Sequence, residues 1–151
     1  MSLHSIATAG LRTIDQISYR HDLRFHRKQN GLAITIELTT SSLPGAPVVD
    51  DKGNFIGFIS EFDILNILET GRELGQLTAE EIMVQDHVSI PESATLSEAV
   101  KLMKHQHLLV LPVERNGVII GSVSRRDLLR AWIGLGSVSY THLTLPTILL
   151  V

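Results

Sequence analysis

The sequence of 151 residues contains no cysteine. That excludes a disulfide scaffold, a thiolate zinc site and a cysteine nucleophile, and it fits a reducing cytoplasm. No stretch approaches the ~18 consecutive apolar residues of a membrane-crossing helix. No apolar run behind a basic start marks a secretory leader. Net charge is nearly absent: 13 Lys and Arg stand against 16 Asp and Glu, giving −3. So slight a balance excludes a duplex-DNA binder held by bulk charge. Signatures of chemistry are missing too. There is no Gly-x-Ser-x-Gly elbow, P-loop or dinucleotide fingerprint. His105 and His107 stand two apart and do not share a helix face. His21 and His26 show no metal-ligand spacing with acids. The chain is therefore read as a non-enzyme. What is present is ordinary globular usage, 44% hydrophobic and 19% charged, in a length that suits one domain or two small units sharing a core.

An internal repeat decides between those two. Ala46-Pro47-Val48-Val49 through Gly57, Ser60 and Asp63 recurs as Leu111-Pro112-Val113 through Gly121, Ser124 and Asp127. The offset is 64 residues from Gly53/Gly117 onward and 65 before it, so the first copy has one extra turn residue. Two copies imply a duplicated unit with pseudo-twofold symmetry, not a solenoid. Each copy reads as a short strand opened by Pro, a hairpin turn (Asp51-Lys52-Gly53-Asn54, Arg115-Asn116-Gly117), a returning strand, and a helix opened by Ser60 or Ser124. The first of these helices is expected to stop at Gly71, the second at Gly134 or Gly136. Upstream of the second hairpin, Val88-Ser89-Ile90 predicts a strand. Thr95-Leu96-Ser97-Glu98 is a capping box before an amphipathic helix with Leu96, Ala99, Val100 and Met103 on one face. By the repeat, the first copy needs a strand at Leu23–Phe25 and a helix across Leu32–Ser41. The β-branched residues there (Ile34, Thr35, Ile36, Thr39, Thr40) favour strand on propensity alone. Thr78-Ala79-Glu80-Glu81 is another capping box, opening a short helix between the copies. The fold class is α/β, a duplicated β-α-β-β-α unit.

These residues resemble a tandem pair of CBS domains, a stand-alone Bateman module. The matching stretches are Leu43–Asp50 with Gly57–Asp63, Leu111-Pro112-Val113 with Gly121–Asp127, and the linker Glu80-Glu81-Ile82-Met83. The resemblance covers Ile14–Trp132 and divides the chain into units at 14–75 and 76–136. It implies clefts between the copies that bind AMP, ADP, ATP or S-adenosylmethionine as effectors, dimers of modules, and no required cofactor.

The Gly-x-x-Ser-x-x-Asp motif can be read structurally, as a helix cap worth about 0.5–2 kcal/mol. That reading leaves Gly57 and Gly121 unexplained, because glycine inside a strand marks close approach of a ligand or another backbone. A helix N-terminus suits anions, while an Asp there repels phosphate but can accept both hydroxyls of a ribose. Ribose at Asp63 or Asp127, beside Ser60 or Ser124, is also the role the resemblance implies. The two sites should differ. Arg125 and Arg126 can hold phosphate, whereas Glu61 opposes it. The Ser124/Asp127 site is thus expected to be the main nucleotide site. The Ser60/Asp63 site is expected to stay empty or take a less anionic adenosyl ligand. Ala46, Val88, Ile90 and Leu111 are candidate adenine linings, each equally readable as core.

The helices after each motif are apolar on more than one face, which demands burial, so a homodimer is expected. The reading is a cytoplasmic regulatory module that senses an adenosyl ligand and relays it to a partner through dimer shape. The alternatives are a ligand-free dimerisation scaffold and a nucleic-acid-binding module using Arg20–Lys28. Residues 137–151 match nothing in the repeat. They are read as translated adaptor sequence, or else as a strand padding the dimer.

Overall fold

A computed structural model describes residues 8–17, 19 and 21–135; the tail at 137–151, Arg20 and Gly136 lie outside them. The element order is β1 (Phe25–His26), α1 (Gly31–Thr40), β2 (Gly45–Val49), β3 (Phe55–Ser60), α2 (Glu61–Glu69), α3 (Ala79–Ile82), β4 (Ile90–Pro91), α4 (Leu96–Gln106), β5 (Val110–Arg115), β6 (Val118–Ser124) and α5 (Arg125–Trp132). Two three-stranded sheets result, ordered β1-β2-β3 and β4-β5-β6. In each, the first pair is parallel and the second antiparallel. This is the duplicated α/β unit that the repeat required.

The extra turn residue has a visible cause. Asn116 (φ 53°) and Gly117 (φ 85°) make a two-residue turn with both residues left-handed. In the first copy Asp50 Oδ1 accepts from the amides of Lys52 and Asn54, both at 2.9 Å, and only Gly53 is left-handed (φ 84°). The side-chain cage spans a longer loop. Both hairpins carry a register shift at the equivalent place, after Val48 and after Val113.

The segment at α1 is a helix despite its β-branched residues. Asn30 caps it, accepting from Leu32 N and Ala33 N. Thr35, Thr39 and Thr40 turn their hydroxyls back onto the carbonyls of Gly31, Ile36 and Glu37, and Ile34 and Leu38 enter the core. Burial and capping outweigh a propensity difference of a few tenths of a kcal/mol per residue. The leading strands are corrected. They are not Leu23–Phe25 and Val88–Ile90 but Phe25–His26 and Ile90–Pro91, each pairing over two residues only. Pro91 has no N–H with which to extend the ladder.

The two cores are cross-packed. Ile14 and Ile17 join the second core, with Leu96, Leu111, Val123 and Leu128. Leu77, Ala79 and Ile82 join the first, with Phe25, Val48 and Ile59. Backbone bonds fix the exchange: Ile14 N to Ala94 O at 2.9 Å and Asp15 N to Glu92 O at 3.0 Å on one side, Ala79 N to Gln29 O and Glu80 N to Arg27 O, both 2.9 Å, on the other. Each unit's leading segment therefore completes the other unit. A division at 75/76 cuts through this packing.

Candidate functional site

The two Ser-x-x-Asp motifs are built alike. Ser60 Oγ accepts from Asp63 N at 3.2 Å, and Asp63 Oδ2 accepts from Ser60 N and Oγ at 2.8 and 2.9 Å. Ser124 and Asp127 repeat this at 3.2, 2.7 and 2.9 Å. Both are reciprocal capping boxes at helix starts. This bonding uses one oxygen of each carboxylate.

The strand glycines answer to the chain's own neighbours. A Cβ on Gly57 would run into the Met83 side chain, and one on Gly121 would come within 3.1 Å of the Tyr19 ring. Each last strand receives an incoming segment there: Phe58 pairs with Val84, and Ser122 pairs with His21. The sequence signal for close approach is thus correct in kind. The approaching group is the segment that precedes the other unit, rather than a ligand.

At the first motif a cavity of about 380 Å³ opens between the units, lined by Ser60, Asp63, Phe58 and His87 together with Leu108 and Val110 of the second unit. That volume is within the ~300–1,000 Å³ range of small-molecule sites. His87 stacks on Phe58, with centroids 3.8 Å apart and planes 11° from parallel, and meets Phe55 edge-on at 6.3 Å. Burial pushes the His87 imidazole below its ordinary value of 6.5, against the pull of the Val88 carbonyl and the Asp86 and Asp63 charges. The wall is acidic as well as aromatic. Glu61, Asp63 and Asp86 line it, and among the described lining residues there is no Lys or Arg.

The second motif is differently placed. His21 Nε2 lies 3.0 Å from Asp127 Oδ2, and the Asp127 side chain is 12% exposed. Ser122 N donates to His21 O at 2.9 Å, and Tyr19 covers Gly121. A segment of the chain thus lies against this carboxylate, where the first motif faces a cavity. Arg125 and Arg126 point elsewhere. They line an open groove of about 920 Å³ with Lys104, Met103, Leu129 and Trp132, away from Ser124 and Asp127. The cavity that Ser and Asp of a motif line together is thus at the first motif, where the sequence points to the second as the main site.

Of the two readings open for the adenine linings named from sequence, the structure places all four with the cores. Ala46 and Leu111 are fully buried in the two cores, Ile90 is buried in the second, and Val88 packs against it. Ala46 and Leu111 fill the cores because β2 and β5, which carry them, are the central strands of their sheets. Sequence reasoning missed Phe58, His87 and Leu108–Val110. The pseudo-symmetry was the available signal, because residues flanking the second hairpin approach the first motif. Within the basic stretch, Arg24, His26 and Arg27 meet partners in the chain itself. Arg24 donates to Ile119 O at 2.5 Å, Arg27 lies between Asp51 (3.8 Å) and Glu80 (3.7 Å), and His26 meets Asp51 at 2.5 Å. No helix of the described residues is long and apolar enough to cross a membrane.

The family model of the CBS domain matches residues 33–70 and 79–134. An uncharacterized protein from Methanopyrus kandleri is 26% identical over 120 residues, covering 78% of this chain and 61% of that protein. An arabinose 5-phosphate isomerase from Yersinia pestis and an inosine-5′-monophosphate dehydrogenase from Helicobacter pylori match at 25% and 31% identity over 64% and 57% of this chain. The chain spans only 29% and 17% of those two enzymes. Among solved structures, the CBS domain of a membrane protein from Sphaerobacter thermophilus aligns with TM-score 0.69 and 26% identity, over 85% of this chain and 93% of that one. CBSX2 in complex with AMP aligns at 0.69 and 22%, over 80% and 96%. The CBS pair of MJ0100 in complex with 5′-methylthioadenosine and S-adenosyl-L-methionine aligns at 0.70 and 21%, over 82% and 97%. The last two share its fold.

Proposed function

The chain belongs to the CBS-domain family, and from that footing we propose that it is a regulatory module whose ligand is an adenosyl compound bound in the cavity at Ser60 and Asp63. The cavity's charge carries the choice of ligand. Among the described residues, three carboxylates and no Lys or Arg line it, so a phosphate chain would enter against like charge with none of these cations among them to meet it. A neutral or cationic adenosyl ligand avoids that cost. The Asp63 carboxylate, with one oxygen committed to Ser60, can accept from a ribose hydroxyl through the other. The Phe58–His87 stack offers a flat apolar wall to a purine. That solved relatives carry AMP, 5′-methylthioadenosine and S-adenosylmethionine supports the adenosyl class. The chain spans too little of the matched enzymes for their activities to be carried over. Signalling requires the ligand to bind two shapes unequally, with the cleft between the units as the place where shape is read.

Calorimetric titration tests the reading. S-adenosylmethionine and 5′-methylthioadenosine are expected to bind more tightly than AMP, and AMP more tightly than ATP. Asp63→Asn is expected to weaken binding by about tenfold or more, the loss of one charge-assisted hydrogen bond, and Asp127→Asn to leave it unchanged. ATP binding tightest, or Asp127→Asn alone abolishing binding, would overturn it.

A further inference from the structure

The charged and titratable residues lining the first cavity are Glu61 and Asp63 at the start of α2, Asp86 and His87 on the segment after α3, and His107 after α4. His107 is exposed, so water and salt screen it. His87 is half-buried. From β3, Phe58 stacks on its ring at 3.8 Å and Phe55 meets it edge-on at 6.3 Å. The Val88 carbonyl oxygen lies 2.9 Å from Nδ1. That oxygen can only accept, so Nδ1 carries the proton of the neutral ring. Nε2 is then the atom that takes up a further proton, and it has no hydrogen-bond partner among the described residues. Burial disfavours the charged ring and prevails over the Val88 carbonyl, Asp86 and Asp63, holding the imidazole below 6.5. The ring is therefore neutral at pH 7 and gains its charge in mild acid.

We propose that His87 is the specificity-determining residue for ligand charge in this cavity, an inference that rests on the adenosyl reading above. With the ring neutral, Glu61, Asp63 and Asp86 favour a neutral or cationic adenosyl ligand. With the ring protonated, a cation stands among those carboxylates, and an anionic adenosyl ligand has a charge to face. One unit charge about 8 Å from another, at an effective dielectric constant of ~40 in a partly solvated cleft, alters affinity by about fivefold. Linkage makes the effect reciprocal: a ligand that disfavours the proton is disfavoured by it through the same factor. A cationic ligand therefore tends to expel the His87 proton and an anionic one to draw it in. A neutral ligand sets the baseline, because all three cover the same ring. The cavity would thus change its preferred ligand with pH through one side chain.

Three adenosyl probes of fixed charge test this. Between about pH 7 and 5, S-adenosylmethionine carries one net positive charge, since its carboxyl and amine titrate outside that window. 5′-Methylthioadenosine is neutral there, and adenosine 5′-sulfate is a monoanion. AMP is unsuitable because its phosphate titrates near 6. In calorimetric titrations, affinity for S-adenosylmethionine relative to 5′-methylthioadenosine is expected to fall by about threefold or more from pH 7 to 5, and that for the sulfate to rise similarly. His87→Phe, which keeps a ring on Phe58, and His87→Gln are each expected to remove both trends. His107→Asn, which suits the left-handed backbone at that position, is expected to keep them. Proton NMR of the wild-type imidazole gives a second readout. Relative to the 5′-methylthioadenosine complex, the His87 midpoint should lie lower with S-adenosylmethionine and higher with the sulfate. Affinity ratios constant with pH, trends that survive both His87 variants or vanish in His107→Asn, or equal midpoints in the three complexes would overturn this assignment and leave the adenosyl reading standing. Binding of none of the three probes would overturn both.

Discussion

Ser60–Asp63 and Ser124–Asp127 close the same bonds at 2.7 to 3.2 Å, yet one borders a cavity and the other lies under His21. The cap is common to both because both helices need their first amides satisfied. Ligand access is not common to both, because it depends on the segment arriving from the other unit. Val84 arrives beside Phe58 and is followed by Asp86 and His87, which line an open space. His21 arrives beside Ser122 and puts its imidazole on the carboxylate. Ser122, fully buried, is left with an Oγ that finds no partner among the described residues, where the first copy has the Phe58 ring stacked on His87. A duplicated motif thus keeps its cap in both copies while the surroundings of its carboxylate diverge.

Three measurements would break or sharpen this comparison. The largest effect belongs to the cross-packing. Ile14→Ala should destabilise the protein by about 2–5 kcal/mol, as for a buried aliphatic truncation, although Ile14 belongs in sequence to the leading segment of the first unit. Its loss should fall first on the second core, where the side chain is 0% exposed. Denaturant melts with hydrogen exchange resolved by unit would show it, and equal loss of protection in both units would count against the assignment. Next in size is ligand stoichiometry. Wild type should bind one adenosyl ligand per chain, and His21→Ala, which frees Asp127, should admit a second. A ratio that stays at one would mean that His21 is not what closes the second motif.

The smallest effect is a dependence on pH carried by the first cavity. The folded His87 imidazole is held below 6.5 by burial. Above 6.5 it is neutral in both folded and unfolded chains, and its contribution is complete. As pH falls from there toward the folded value, the unfolded chain takes up a proton that the folded chain refuses, and stability declines. His87→Phe, which keeps the stack on Phe58, should flatten that decline in melts between about pH 7 and 5. A slope unchanged by the substitution would assign it to other groups.

Much of the fold was legible in the residues. The caps at Thr78 and Thr95, the Asn116-Gly117 turn and the motif serines each act within four residues of chain, where local chemistry decides the outcome. The α1 helix was legible only through the repeat, because its Thr and Ile residues point to strand until Asn30 and the core are supplied. The site was legible in part. Asp63 and Ser60 were named, but the arginines seemed to favour the second motif. Arg125 and Arg126 line the groove beside Met103 and Trp132, and sequence proximity to Asp127 carries no information about that placement. The glycines mark close approach of a ligand or another backbone, and the groups that approach them are Met83 and Tyr19, contacts across 26 and 102 residues of chain.

By itself, the sequence determined that this protein is two copies of one β-α-β-β-α unit, each closed by a Ser-x-x-Asp cap. Those features depend on hydrogen bonds and periodicities confined to short stretches. Tertiary structure decided which copy faces open space and where the charged side chains are delivered. The leading segments of the two units exchange places, and the identity of the residue that arrives, His87 at one motif and His21 at the other, is set by packing over distances that no local pattern spans.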